Sequence, residues 1–287
     1  MGLRFLANLG TLVGASFALL LTPVYSAPVV YKGAGADATA ITAARDLFRL
    51  DVGGGTSVGA NGLFGGIRRE INWDAVPDSF AAPNNLPVNF FNTNSPRGAV
   101  FSTPGIGVAV SGNAGIAPIE FDNMNATYSQ IFKTFSSQRL FAAIGSNVVD
   151  VDFFSAGTNN ASSTSAFAAI FTDVDLLNTA AIEYFDGAVS LGRFSVPVAN
   201  NGLSFLGVRF DAGERITRVR IISGNTVLGS NDSASADVVA MDDFLYAEPL
   251  RAVPEPSSLA LFALGLFGCL TGYRNRRKRD GSKRQDI

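Results

Sequence analysis

The stretch AFAAIFTDVDLLNTAAIEYFDGAVSLGRFSV, residues 166–196, carries three short runs of β-branched, aromatic and small apolar residues. The runs are Ala166–Thr172, Ala180–Phe185 and Val189–Val196, and polar turn residues separate them. Runs of this length bounded by Asp, Asn and Gly read as strands, and Asp186-Gly187 between two of them predicts a hairpin turn. The same pattern extends in both directions. Further strands are expected at Ala99–Ser102, Gly107–Ser111, Arg139–Ala142, Val148–Phe154, Leu203–Phe210, Ile216–Ser223 and Val238–Tyr246. Within them Arg218-Val219-Arg220-Ile221 alternates charged and apolar residues, as a half-buried strand does. Many short strands with few helical runs predict a mainly β protein, with a β-sandwich spanning residues 99–250. The chain's 23 phenylalanines can fill a core between two sheets without a disulfide. By analogy of length and strand density, a jelly-roll or lectin-like sandwich is preferred.

Residues 27–98 read differently, as a short helix and a loop-rich segment packed on the sandwich. From Asp37 to Leu50, apolar residues Ala40, Ile41, Ala44, Leu47 and Phe48 recur at helical spacing. A glycine-rich connection follows, from Gly53-Gly54-Gly55 to Gly65-Gly66, without the Gly-Lys-Ser/Thr ending that a phosphate-cradling loop needs. Next come Arg68-Arg69-Glu70-Ile71-Asn72-Trp73-Asp74, with the single tryptophan, and an Asn- and Pro-rich loop from Ala82 to Pro96. This helix-and-RREINWD arrangement is similar to stretches of exported bacterial proteins to which no activity is attached. Two readings of Trp73 stay open. It anchors the N-terminal segment onto the sandwich, or with Asp74 and Arg69 it forms a platform for a sugar ring.

The two ends have their own signature. Arg4 followed by the mostly apolar Leu9–Leu21 and by Val24-Tyr25-Ser26 predicts a signal peptide over residues 1–26. At the other end Val253-Pro254-Glu255-Pro256 precedes an uncharged run of 17 residues, Ser257 to Tyr273. As a helix this run reaches roughly 26 Å at about 1.5 Å per residue, enough to cross a thin bilayer. Arg274, Arg276, Arg277, Lys278 and Arg279 close it and predict a cytoplasmic end, continued by polar residues 280–287. This order of parts over residues 253–279 resembles the PEP-CTERM sorting signal of Gram-negative bacteria. The resemblance implies an exported protein held briefly at the inner membrane. A membrane protease, exosortase, then recognises Pro254, Glu255 and Pro256, and the body passes to the cell surface or the extracellular matrix. Such tails accompany exopolysaccharide production, so that polymer is the partner the resemblance implies.

Composition removes several chemistries. The chain has no histidine, which excludes Ser-His-Asp and Cys-His hydrolases and histidine-ligated zinc, and its one cysteine, Cys269, lies in the apolar tail. Between Ala27 and Ala252, 14 Lys and Arg face 21 Asp and Glu, a net charge of −7 against −2 for the whole chain. An acidic body argues against nucleic-acid binding, where a basic stripe is expected. Acidic residues recur in pairs: Glu120/Asp122, Asp150/Asp152, Asp173/Asp175 and Asp242/Asp243. Of these, Asp173 with Asp175, and Asp242 with Asp243, are the candidate Ca²⁺ ligands, because carboxylates at strand ends suit an ion with six to eight oxygens. Turn capping explains the same residues equally well. Three functions remain open: glycan binding, a purely structural surface role, and a carbohydrate-active hydrolase working through two carboxylates.

Overall fold

The computed structural model describes residues 27–113 and 119–251. The expected signal peptide (1–26), the sorting tail with its apolar helix (253–279) and the polar end (280–287) lie outside the described residues. Among the described residues no helix is long and apolar enough to cross a membrane.

The body is mainly β, with two antiparallel sheets and few helices. In chain order the elements are β1 (Val29–Gly35), α1 (Ala38–Val52), β2 (Leu63–Phe64), β3 (Arg68–Ile71), α2 (Phe90–Thr93), β4 (Ala99–Ser102) and β5 (Gly107–Val110). They continue with α3 (Tyr128–Ile131), β6 (Phe141–Ile144), β7 (Val148–Phe153), β8 (Ala166–Val174) and β9 (Ala181–Asp186). The last are β10 (Val189–Ser195), β11 (Ala199–Arg209), β12 (Arg218–Ile222) and β13 (Ala240–Ala247). The larger sheet runs β1-β11-β8-β13-β3-β2, with β6 pairing both β13 and β5; the smaller runs β10-β9-β12-β7-β4. The seven runs read outward from the 166–196 stretch and the three within it all overlap strands, with β6 starting two residues later than the expected Arg139. The hairpin turn falls one residue later than expected, on Gly187-Ala188, with Asp186 opposite Val189.

The two sheets share one core. Phe167, Phe171, Phe244 and Tyr246 of the larger sheet pack against Phe101, Val149, Val151, Phe153, Ile182, Tyr184, Val219 and Ile221 of the smaller. Alternation explains the outer faces. On β12, Arg218 and Arg220 point away from the core, and Arg220 pairs with Asp150 directly across on β7 through two 2.8 Å bonds. On β8, by contrast, every residue is buried. The reason is α1, which covers the outer face of this part of the larger sheet. Ile41 and Phe48 of the helix rest on Ala166, Ala168, Ile170, Leu203 and Phe205. Asp37 caps the helix by accepting from the Thr39 and Ala40 N–H groups. The close seat needs Gly207, where a Cβ would fall 2.7 Å from the Phe48 ring.

Three strands were missed by pattern reading: β1, β2 and β3. Through them residues 27–98 contribute strands to the larger sheet as well as the helix. All four residues of β3 are buried although three are charged, and a charged run gives no hydrophobic alternation to read.

Candidate functional site

The Arg68-Arg69-Glu70 run lies inside the molecule because each charge has a partner. Glu70 receives Arg49 of α1 through bonds of 2.9 and 2.6 Å and Arg68 Nε at 2.8 Å. Arg68 also donates to the carbonyls of Arg49, Gly53 and Gly55, which ties the end of α1 and the glycine-rich connection to β3. Arg69 grips Glu248 through bonds of 2.7 and 3.0 Å. A buried ion pair is costly to desolvate but still costlier to break on one side. This network is architecture.

Trp73, offered above as a glycan contact, is 0 % exposed. Its ring stacks on Phe141 at 4.3 Å and meets Phe91 and Phe244 edge-on, while Nε1 donates to the Asp242 carbonyl at 2.8 Å. No face is left for a sugar. The neighbouring carboxylate of Asp74 accepts the Arg139 N–H at 3.0 Å. The anchoring reading of Trp73 is the one its surroundings support.

Asp242 and Asp243 also lie in the interior, at a bulge in β13 where the register shifts between Met241 and Phe244. A bulge turns two consecutive side chains away from strict alternation. Asp242 accepts from the Phe135 N–H at 2.6 Å and the Ser136 hydroxyl at 3.0 Å; Asp243 lies 2.9 Å from the same hydroxyl. Burial, and then the charge of Asp243, pushes the Asp242 carboxyl well above the ordinary value. The two pin the segment after α3 to the sheet, and no third carboxylate joins them in a metal-ligand group among the described residues.

Asp173 and Asp175 meet a partner that the sequence reading did not single out. Carboxylate oxygens of Asp173, Asp175 and Asp232 all lie within 4.8 Å of one another. Asp173, the next-to-last residue of β8, is in a left-handed conformation, φ 64°, and Asp232 comes from the Ser- and Asn-rich connection between β12 and β13. Asp173 Oδ1 accepts the Asn201 N–H at 2.7 Å, whereas Asp173 Oδ2 and Asp175 Oδ1 are buried without a partner. Burial pushes the Asp173 and Asp175 carboxyls above their ordinary values, and the Asp173 charge raises Asp175 further. Asp237 stands beside them in a different role. It accepts from the Asp175 and Leu176 N–H groups and the Thr179 hydroxyl, and so shapes the β8–β9 connection. Asp232 was hidden because its only sequence signal is an Asp in a polar turn.

A groove lies between α1 and the glycine-rich connection. It encloses about 820 Å³, with Arg45, Asp46 and Arg49 on one wall and Leu50, Val58 and Phe64 among its apolar lining. Leu50 is 79 % exposed.

The body ends in a fixed position. The Glu248 N–H donates to the Ile67 carbonyl at 2.7 Å, and Leu250 exchanges two backbone bonds with Ser163. Beyond this tether begins the segment matched by a family model: residues 252–278 fit the PEP-CTERM protein-sorting motif. No curated protein and no solved structure matches the chain. The chain therefore carries a PEP-CTERM sorting motif directly behind its β-rich body, as an exported protein processed by exosortase does.

Proposed function

We propose that the body is a binding component of the extracellular matrix, held in the exopolysaccharide outside the cell. In this reading residues 1–26 serve as a signal peptide, and exosortase acts on the tail at Pro254-Glu255-Pro256. The groove beside α1 is where a glycan segment would lie. The composition of its walls carries the reading. Arg45 and Asp46 offer hydrogen bonds to hydroxyls, and the exposed Leu50 and Val58 offer an apolar surface for sugar C–H groups. Its lining includes one carboxylate, Asp46, which is paired with Arg45 at 2.7 Å. Glycoside hydrolysis by the usual route takes two carboxylates flanking the bond, so binding is favoured over cleavage. A jelly-roll or lectin-like topology belongs to the same proposal.

Two experiments test it. In the producing cell, replacing Pro254-Glu255-Pro256 by alanines should leave the protein at the inner membrane, and unchanged processing and location would refute the sorting part. Separately, the protein should be retained on the cell's own exopolysaccharide, and a Leu50→Asp variant should be retained less. Failure of retention with correct sorting would leave a purely structural role, and release of reducing ends would establish the hydrolase instead.

A further inference from the structure

We propose that Asp173, Asp175 and Asp232 form a calcium site joining the β8–β9 and β12–β13 connections at one end of the sheets. Proximity of three carboxylates is the first observation; acidic groups often gather without an ion. The second is independent of their number. Asp173 is 1 % exposed, its Oδ1 is occupied by the Asn201 N–H, and its Oδ2 is out of reach of solvent with no donor. Asp175 Oδ1 is in the same condition. A buried carboxylate oxygen without a donor costs stability, and a cation supplies what neither the chain nor solvent does there.

The donors select the ion. Every side-chain ligand in the group is a carboxylate oxygen, which suits hard cations rather than zinc or copper. Magnesium requires near-ideal octahedral geometry, whereas calcium accepts irregular sets completed by backbone carbonyls and water. The group draws on two connections far apart in sequence, so calcium fits better. Asp237 is left out of the set, because both its oxygens already accept bonds from the β8–β9 connection. Binding would close a non-covalent link between residue 175 and residue 232 in a body without a disulfide. Calcium sites of extracellular modules have dissociation constants of about 10⁻⁴ to 10⁻³ M, weak enough for the link to form only after export. The proposal does not rest on the glycan-binding reading.

The test uses the full-length chain in detergent at neutral pH. Calorimetric titration with calcium chloride should show one site in that affinity range. In thermal melting, calcium about tenfold above the dissociation constant should raise the melting temperature by about 3–6 °C, and chelation should reverse it. Asp232→Asn retains an oxygen to accept the Val238 N–H at 3.2 Å, and Asp175→Asn is similarly conservative; both should abolish the calcium shift. A native chain whose melting ignores calcium would overturn the proposal, and so would a shift that survives in both variants. A chain stabilised by acid but not by calcium would show that the group holds protons instead. The titration of the native chain decides the matter even if a variant fails to fold.

Discussion

Replacing Trp73 by phenylalanine separates an anchoring residue from a ligand contact. The smaller ring keeps part of the packing against Phe141 at 4.3 Å but loses the bond from Nε1 to the Asp242 carbonyl at 2.8 Å. A buried carbonyl left without its donor costs about 1–3 kcal/mol. The volume lost between indole and phenyl adds about 1 kcal/mol, because a densely ringed core relaxes only in part. The two together predict a loss of about 2–4 kcal/mol, or roughly 5–15 °C in melting temperature for a domain of this size. Thermal unfolding of the full-length chain followed by circular dichroism measures it. Retention on exopolysaccharide, assayed well below the transition, should not change. A variant that melts like the native chain yet is retained less on exopolysaccharide would refute the reasoning, since only a residue reaching solvent could behave so.

Three further outcomes follow from the same structure. Glu70→Gln leaves Arg68 and Arg49 facing a neutral partner and should cost about 3 kcal/mol in urea unfolding, whereas Arg49→Ala, which leaves the Arg68–Glu70 pair intact, should cost clearly less. Gly207→Val places methyl groups where Phe48 already sits; it should loosen α1 and speed hydrogen exchange along it while the core between the sheets stays protected. Stability should rise as pH falls from neutral toward the ordinary aspartate range. Asp242 and Asp243 titrate higher in the folded state than in the unfolded chain, so the native state takes up protons first and the gain disappears as pH rises through the folded values. Asp243→Asn should flatten that slope in melting measured across pH, and an unchanged slope would exclude the pair as its source.

Period-two patterns made the strands legible. Arg218-Val219-Arg220-Ile221 faces the core on one side and Asp150 on the other, so its alternation mirrors its surroundings directly. β3 was illegible for the converse reason. Its Arg68, Arg69 and Glu70 are buried by partners at residues 49 and 248, and nothing local announces ion pairs that span so much chain. The candidate acidic residues split in the same way. Asp173 and Asp175 were visible as a pair at a strand end, but Asp232 joins them only because the β12–β13 connection folds back onto β8. Asp242 and Asp243, the second-ranked pair in the sequence, are placed inside by a bulge and held there by Ser136.

Sequence by itself determined the sorting tail and the β-rich body, since the order of Pro-Glu-Pro, apolar run and basic end is contiguous, and strand periodicity is a local property of the backbone. It determined too that histidine and thiol chemistry are absent from residues 27–251, because composition needs no coordinates. Tertiary structure alone decided which charges are architecture and which oxygens converge without donors. Burial and pairing depend on segments tens to hundreds of residues apart, so Trp73 moved from a possible sugar platform to the centre of the core. Asp232, one aspartate in a polar turn, moved next to Asp173 and Asp175 for the same reason.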